Sequence, residues 1–146
     1  MEKIKLGITG QNGFVGSHLK NTVQFLHDDF EIINFERDYF NQPNKIKAFV
    51  KECDVIVHLA GLNRHIDEDI IYQTNLDLSK KLIEACESAN AKPHILFSSS
   101  IQEDSDNAYG NSKKASHQLF LNWAEKENAA FTGVIIPNVF GPFGKP

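Results

Sequence analysis

The run Thr9-Gly10-Gln11-Asn12-Gly13-Phe14-Val15-Gly16 follows the apolar stretch Ile4 to Thr9 and opens a segment with helical spacing. It restricts what this chain can fold into more than any other feature. Glycines three residues apart between a strand and a helix each have a physical use. The first permits a tight turn, the second lets the backbone approach a pyrophosphate, and the third lets the helix pack closely on the strand. The helix then presents unpaired N–H groups and the positive end of its dipole, which suits phosphate. A ligand-free glycine turn is the blander reading, and the strand-to-helix setting makes it the weaker one. The candidate cofactor contacts here are Gly10, Gly13, Phe14, Val15 and Gly16.

The rest of the chain alternates short apolar runs with segments of helical periodicity. That pattern predicts an α/β fold, a doubly wound, mainly parallel sheet of the Rossmann type. The expected strands are Ile4 to Thr9, Phe30 to Phe35, Asp54 to Leu59, His94 to Ser99 and Thr132 to Ile136. Val55-Ile56-Val57 and Val134-Ile135-Ile136 read as buried on both faces. Val15, Leu19, Val23 and Leu26 form one helical stripe, Leu78, Leu82, Ile83 and Cys86 a second, and Ala115, Leu119 and Trp123 a third; all read as core. Pro43 fits the start of the second helix, where its missing N–H costs nothing. The 146 residues make a single domain. Because the sequence stops just past the fifth strand, the expectation is a truncated sheet without the C-terminal substrate-binding part.

Composition removes several function classes. With 41% hydrophobic and 23% charged residues the chain is expected to fold. A net charge of -4 with scattered Lys and Arg gives no basic face for nucleic acid. No apolar stretch approaches the roughly 18 residues of a spanning helix, so the expected place is the cytoplasm, away from a membrane. Cys53 and Cys86 lack metal-ligand spacing and read as reduced thiols, and the histidines form no close-spaced cluster, so no metal site is expected.

Cofactor choice falls to the end of the second strand, at Asn34-Phe35-Glu36-Arg37-Asp38. Acidic residues there accept ribose hydroxyls, whereas an arginine meets a 2′-phosphate. Arg37 favours NADP(H), and Glu36 and Asp38 leave NAD(H) open. Tyr109 and Lys113 stand four apart, hence on one face of a helix beginning near Asn107. A phenol with a reference pKa of about 10 is a poor acid or base near neutrality; a neighbouring ammonium stabilises the phenolate and is expected to lower that value. Phe97-Ser98-Ser99-Ser100 ends the fourth strand just before this pair, where a hydroxyl can bond a substrate carbonyl.

Taken together, T-G-x-x-G-x-x-G, the serine cluster and Y-x-x-x-K make the chain resemble the extended short-chain dehydrogenase/reductase family, the NAD-dependent epimerase/dehydratase group that acts on nucleotide sugars. Asp54-Val55-Ile56-Val57-His58-Leu59-Ala60-Gly61 looks like that family's cofactor-contacting strand and loop, and Asn75 and Asn138 are similar to two further markers. The resemblance implies Tyr109 as catalytic acid/base and Lys113 as its partner and ribose contact. It also implies Ser100 as the hydroxyl residue, with Ser99 second, and Leu59, Ala60 and Gly61 as cofactor contacts. Within the family, three features are similar to the reductase domain of capsular-polysaccharide enzymes that make UDP-N-acetyl-6-deoxy-talosamine: His58-Leu59-Ala60-Gly61-Leu62-Asn63-Arg64, the short Ser100-to-Tyr109 interval, and Asn138 followed by Gly144-Lys145-Pro146. That likeness implies NADPH, a UDP-linked 4-keto sugar as partner, a cupin-like domain downstream, and possible dimer formation through the Y-x-x-x-K helix. A 4-epimerase or dehydratase using NAD, and a non-catalytic dinucleotide-binding module, are the alternatives. Two departures stand out. Ile135 occupies a position where the family has an arginine, and the region before Asp54 is too short for the usual extra strand and adenine-contacting aspartate.

Overall fold

The computed structural model describes residues 1–144, so the part of the resemblance that rests on Lys145 and Pro146 lies outside the described residues. The apolar run Ile4–Thr9 forms β1, and the glycine turn leads from it into α1 (Phe14–Gln24). β2 (Phe30–Ile33), a 3₁₀ turn (Arg37–Asn41) and α2 (Pro43–Glu52) follow, with Pro43 in the first turn of α2 as its fixed φ favours. Next come β3 (Val55–His58), α3 (Glu68–Ala89), β4 (His94–Ser100), a second 3₁₀ turn (Ile101–Asp104), α4 (Ala108–Glu127) and β5 (Phe131–Ile136). All strand pairs are parallel, in the order β2-β1-β3-β4-β5. Only the 3₁₀ turn and α2 separate β2 from β3, so among the described residues the extra strand is indeed missing.

Strand order follows from burial. Leu6 and Ile8 of β1 and Ile56 of β3 are almost fully covered, as central parallel strands require. β5 differs from the sequence expectation: Val134 and Ile135 are 40% and 56% exposed. A parallel strand is buried on both faces only where helices cover both, and β5, at the edge of the sheet, is incompletely covered on either face. The α1 stripe is also corrected. Val23 is buried and Leu19 half-buried, but Val15 in the first turn and Leu26 beyond the end of the helix are exposed. In the other stripes Leu82, Cys86 and Trp123 are buried and Leu78, Ile83, Ala115 and Leu119 half-buried. β2 stops two residues short of the expected Phe35, and β4 runs one residue further to Ser100.

Two apolar clusters flank the sheet. One joins α2, α3 and α4 through Phe49, Leu82, Cys86, Phe120 and Trp123 against Ile56, Ile95 and Phe97. The other joins α1 to Leu6 and Ile8 through Val23. Cys53 and Cys86 are buried free thiols, each pushed up to about 12, chiefly by burial, and are thereby kept protonated and unreactive.

Candidate active site

The sheet changes direction at β1, which has β2 on one side and β3 on the other, and doubly wound sheets bind ligands beyond the carboxyl ends of strands at such a point. Gly10 has φ +75, and a Cβ there would stand 2.8 Å from the Ala60 backbone nitrogen, so the turn and the loop after β3 are in contact. A Cβ on Gly16 would collide with the Gly10 carbonyl oxygen, so only glycine lets α1 start this close to the strand. The start of α1 also differs from those of the longer helices. Asp67 caps α3 through Asp69 N–H, and Asn107 caps α4 through Gly110 N–H at 2.7 Å. α1 has Gly13 at its cap, no side-chain cap bond and no acidic residue in its first turn. Its leading N–H groups and dipole are therefore available to an anion. The Gln11 side-chain amide donates to the Phe35 carbonyl, tying this turn to the end of β2.

Across the sheet, Thr9, His58, Phe97 and Gly133 are register partners in one row. The Thr9 hydroxyl pairs with His58 Nδ1 at 2.7 Å and accepts the Ala60 N–H. His58 is 1% exposed, with Phe97 stacked beside it and Phe40 and Phe120 edge-on. Burial, and then the Lys113 charge, lowers its pKa to about 3, so it is a neutral imidazole at physiological pH.

α4 lays Tyr109 and Lys113 over this row, one turn apart. Lys113 is 5% exposed; its Nζ donates to the Ser98 carbonyl at 2.9 Å and lies 5.6 Å from the Tyr109 ring centroid and 5.0 Å from that of Phe97. Burial lowers its pKa to about 8, opposed by Glu103. The sequence expectation for Tyr109 is corrected. Burial raises the phenol above its usual range, and proximity to Lys113 does not reverse this. The ammonium is turned to the Ser98 carbonyl, and the phenol keeps its proton near neutrality.

The three serines separate. Ser98 Oγ reaches the His58 carbonyl at 3.4 Å. Ser99 donates to Glu103, so its hydroxyl hydrogen is already engaged. Ser100 accepts the Gln102 N–H at 3.1 Å, which caps the second 3₁₀ turn and leaves its own hydrogen to donate. Asn75 is buried in α3; it accepts the Leu62 N–H at 2.6 Å, donates to the Leu62 carbonyl and donates to Ser112, clamping the 59–63 loop to α4. Gly61 lies under this clamp, where a Cβ would be 3.2 Å from Asn75 Oδ1 and 3.8 Å from Lys113 Nζ. Arg37 is exposed at the start of the first 3₁₀ turn, beyond the end of β2.

Gly10, Gly16, Leu59, Ala60 and Gly61 therefore meet at the carboxyl edge of β1 and β3, with Tyr109 and Lys113 above β3 and β4. Spacing did not reveal Thr9 with His58, or Glu103 with His117, whose Nδ1 is 2.9 Å from the Glu103 carboxylate. Thr9 and His58 are distant in sequence and meet through strand order, whereas Glu103 meets His117 because the 3₁₀ turn packs back against α4.

A parallel sheet with α1, α2, α3 and α4 on its two faces and a glycine turn at its switch point is a Rossmann-type α/β fold. The family described as NAD dependent epimerase/dehydratase matches residues 6–146, and this chain belongs to it, a family of enzymes. The chain is 32% identical over 145 residues to UDP-2-acetamido-2,6-beta-L-arabino-hexul-4-ose reductase of Pseudomonas aeruginosa, taking in 98% of this chain and 38% of that protein. The structure of RMD from Pseudomonas aeruginosa complexed with NADPH shares the fold at a TM-score of 0.87 and 24% identity, over 98% of this chain and 56% of that one. The capsular polysaccharide assembling protein CapF from Staphylococcus aureus is similar at a TM-score of 0.77 and 30% identity, over 98% and 37% of the two chains. The chain thus spans well under two thirds of each of these relatives.

Proposed function

We propose that this chain forms the dinucleotide-binding and proton-donating part of an NADPH-dependent reductase acting on a UDP-linked 4-keto-6-deoxy-hexosamine in surface-polysaccharide synthesis, in the cytoplasm. The observation that carries this reading is Tyr109, a half-buried phenol kept protonated one helical turn from Lys113 at the edge where β1, β3 and β4 end. Reduction of a ketone needs a proton donor of this kind beside the reacting oxygen.

The uncapped start of α1 fits a pyrophosphate, with Gly10, Gly13, Phe14, Val15 and Gly16 forming the cradle. Leu59, Ala60 and Gly61 would flank the cofactor from β3, Lys113 would hold its nicotinamide ribose, and Arg37 would pair with a 2′-phosphate. NADPH held there would supply the hydride that the sugar carbonyl carbon accepts. Tyr109 gives its O–H proton to the carbonyl oxygen as that oxygen gains charge, and the ammonium of Lys113 stabilises the resulting phenolate. Ser100 donates its free hydroxyl hydrogen to the same oxygen. The reductase name of the Pseudomonas aeruginosa relative supports this direction of reaction.

The test is turnover of a UDP-4-keto-6-deoxy-hexosamine by the full-length protein and its Tyr109→Phe variant. The variant is expected to lose at least about 100-fold in kcat while keeping its affinity for NADPH. Unchanged turnover overturns the assignment. Glu36 and Asp38 beside Arg37 favour a second reading, an NAD-dependent 4-epimerase or dehydratase, which would purify with tightly held NAD.

A further inference from the structure

Glu103 has no part in the reaction as described above, yet it is held more firmly than a surface carboxylate. It lies on the second 3₁₀ turn, which joins β4 to α4 and presses on α4 at Gly110, where a Cβ would collide with the Gln102 carbonyl. Its side chain is 16% exposed. Ser99 Oγ and His117 Nδ1 both bond to its Oε1 oxygen, and a carboxylate, being acceptor-only, receives both hydrogens. His117 is itself fixed between Phe97 and Phe131, over Gly133.

Tyr109, Lys113 and His117 recur every four residues on α4 and so form one stripe. A carboxylate bonded to His117 stands beside that stripe. Among the described residues, the titratable groups that act on or lie beside Lys113 are His58 from β3, Tyr109 from α4 itself and Glu103 from the 3₁₀ turn, with His117 one turn further along α4. The buried polar residues of α3 in this region, Asn75 and Ser79, are neutral, and the paired part of β5 carries no ionisable side chain. Glu103 is thus the negative group of the set.

We propose that Glu103 is a positioning residue for the Tyr109–Lys113 pair: anchored by Ser99 and His117, its carboxylate supplies the negative charge that balances the buried Lys113 ammonium. The proposal rests on the reading of Lys113 as the working cation. Burial lowers the Lys113 pKa and Glu103 raises it, so the two oppose each other. Without Glu103 more of Lys113 would be neutral at working pH, and less charge would be ready for the Tyr109 phenolate. Ser99 on this account holds Glu103 and does not touch the substrate.

The test follows Lys113 directly, by NMR titration of the whole chain carrying 13C at the lysine ε-carbons, with Lys113→Arg to assign the signal. Neither cofactor nor substrate is needed, so failure here is distinct from failure of the Tyr109 assignment. In Glu103→Gln the Lys113 midpoint is expected to move to lower pH by roughly half a unit or more. Glu103→Asp, which keeps the charge, should titrate near the parent. A Glu103→Gln midpoint equal to the parent's, or a Glu103→Asp midpoint displaced as far as that of Glu103→Gln, overturns the proposal. If Glu103→Gln does not fold, the unsubstituted chain decides: the Glu103 carboxyl carbon should shift at the Lys113 midpoint, and a signal that stays still there rejects the coupling.

Discussion

The two faces of the sheet are built for different work. On the face shared by α2, α3 and α4, fifteen buried residues among those described form one continuous cluster, which includes Phe35, Phe40, Phe49, Phe97, Phe120 and Trp123. On the α1 face only Leu6, Ile8 and Val23 reach that degree of burial. Residues 142 and 143 lie against α1, with His18 Nε2 2.9 Å from the Pro142 carbonyl and Phe143 beside the His18 ring. The difference teaches a division between support and access. The aromatic face fixes the position of α4, and with it Tyr109 and Lys113. The α1 face gives up core in order to bring a bare helix start to the strand edge.

Truncations on each face sharpen this contrast. Phe120, wholly buried, should cost about 3–5 kcal/mol as Phe120→Ala in urea denaturation. Val23→Ala on the other face should cost only about 1–2 kcal/mol. Equal losses would break the comparison.

Gly16→Ala places a methyl against the Gly10 carbonyl. We expect it to weaken dinucleotide binding on the order of 100-fold, about 3 kcal/mol, in a chain that remains folded by circular dichroism. Binding at parental strength would show that α1 does not form the cradle.

A pH series probes the aromatic face through His58. Its folded pKa, about 3, lies below its unfolded value of 6.5, so between these limits the unfolded chain binds more protons. Stability should therefore fall as pH drops from 6.5 toward 3, by up to about 1.4 kcal/mol per pH unit from this group. His58→Asn should flatten that slope, and an unchanged slope would assign the acid sensitivity to other groups. The smallest effect belongs to the α1 side. Phe143, 93% exposed, should change stability by less than about 0.5 kcal/mol as Phe143→Ala.

What the sequence made legible was local. The glycine turn, Pro43 at the start of α2 and the Tyr109–Lys113 face depend on spacings within one turn or helix, so residue order alone identifies them. Thr9 with His58, forty-nine residues apart, depends on which strands are neighbours, and Ser99 with Glu103 and His117 depends on how the second 3₁₀ turn folds back between β4 and α4, which no spacing motif marks. Val134 and Ile135 read as doubly buried because an apolar run carries no mark of an edge position. The Tyr109 pKa was expected to fall because the sequence displays the nearby lysine but not the burial that outweighs it.

The central claim, a cradle for NADPH with Arg37 on the 2′-phosphate, is tested most directly by calorimetric titration of the folded chain and of Arg37→Ala with NADPH and with NADH. The account predicts tighter binding of NADPH, with Arg37→Ala losing about tenfold toward NADPH and nothing toward NADH. Tighter binding of NADH, or no binding of either by a chain shown to be folded, would contradict it.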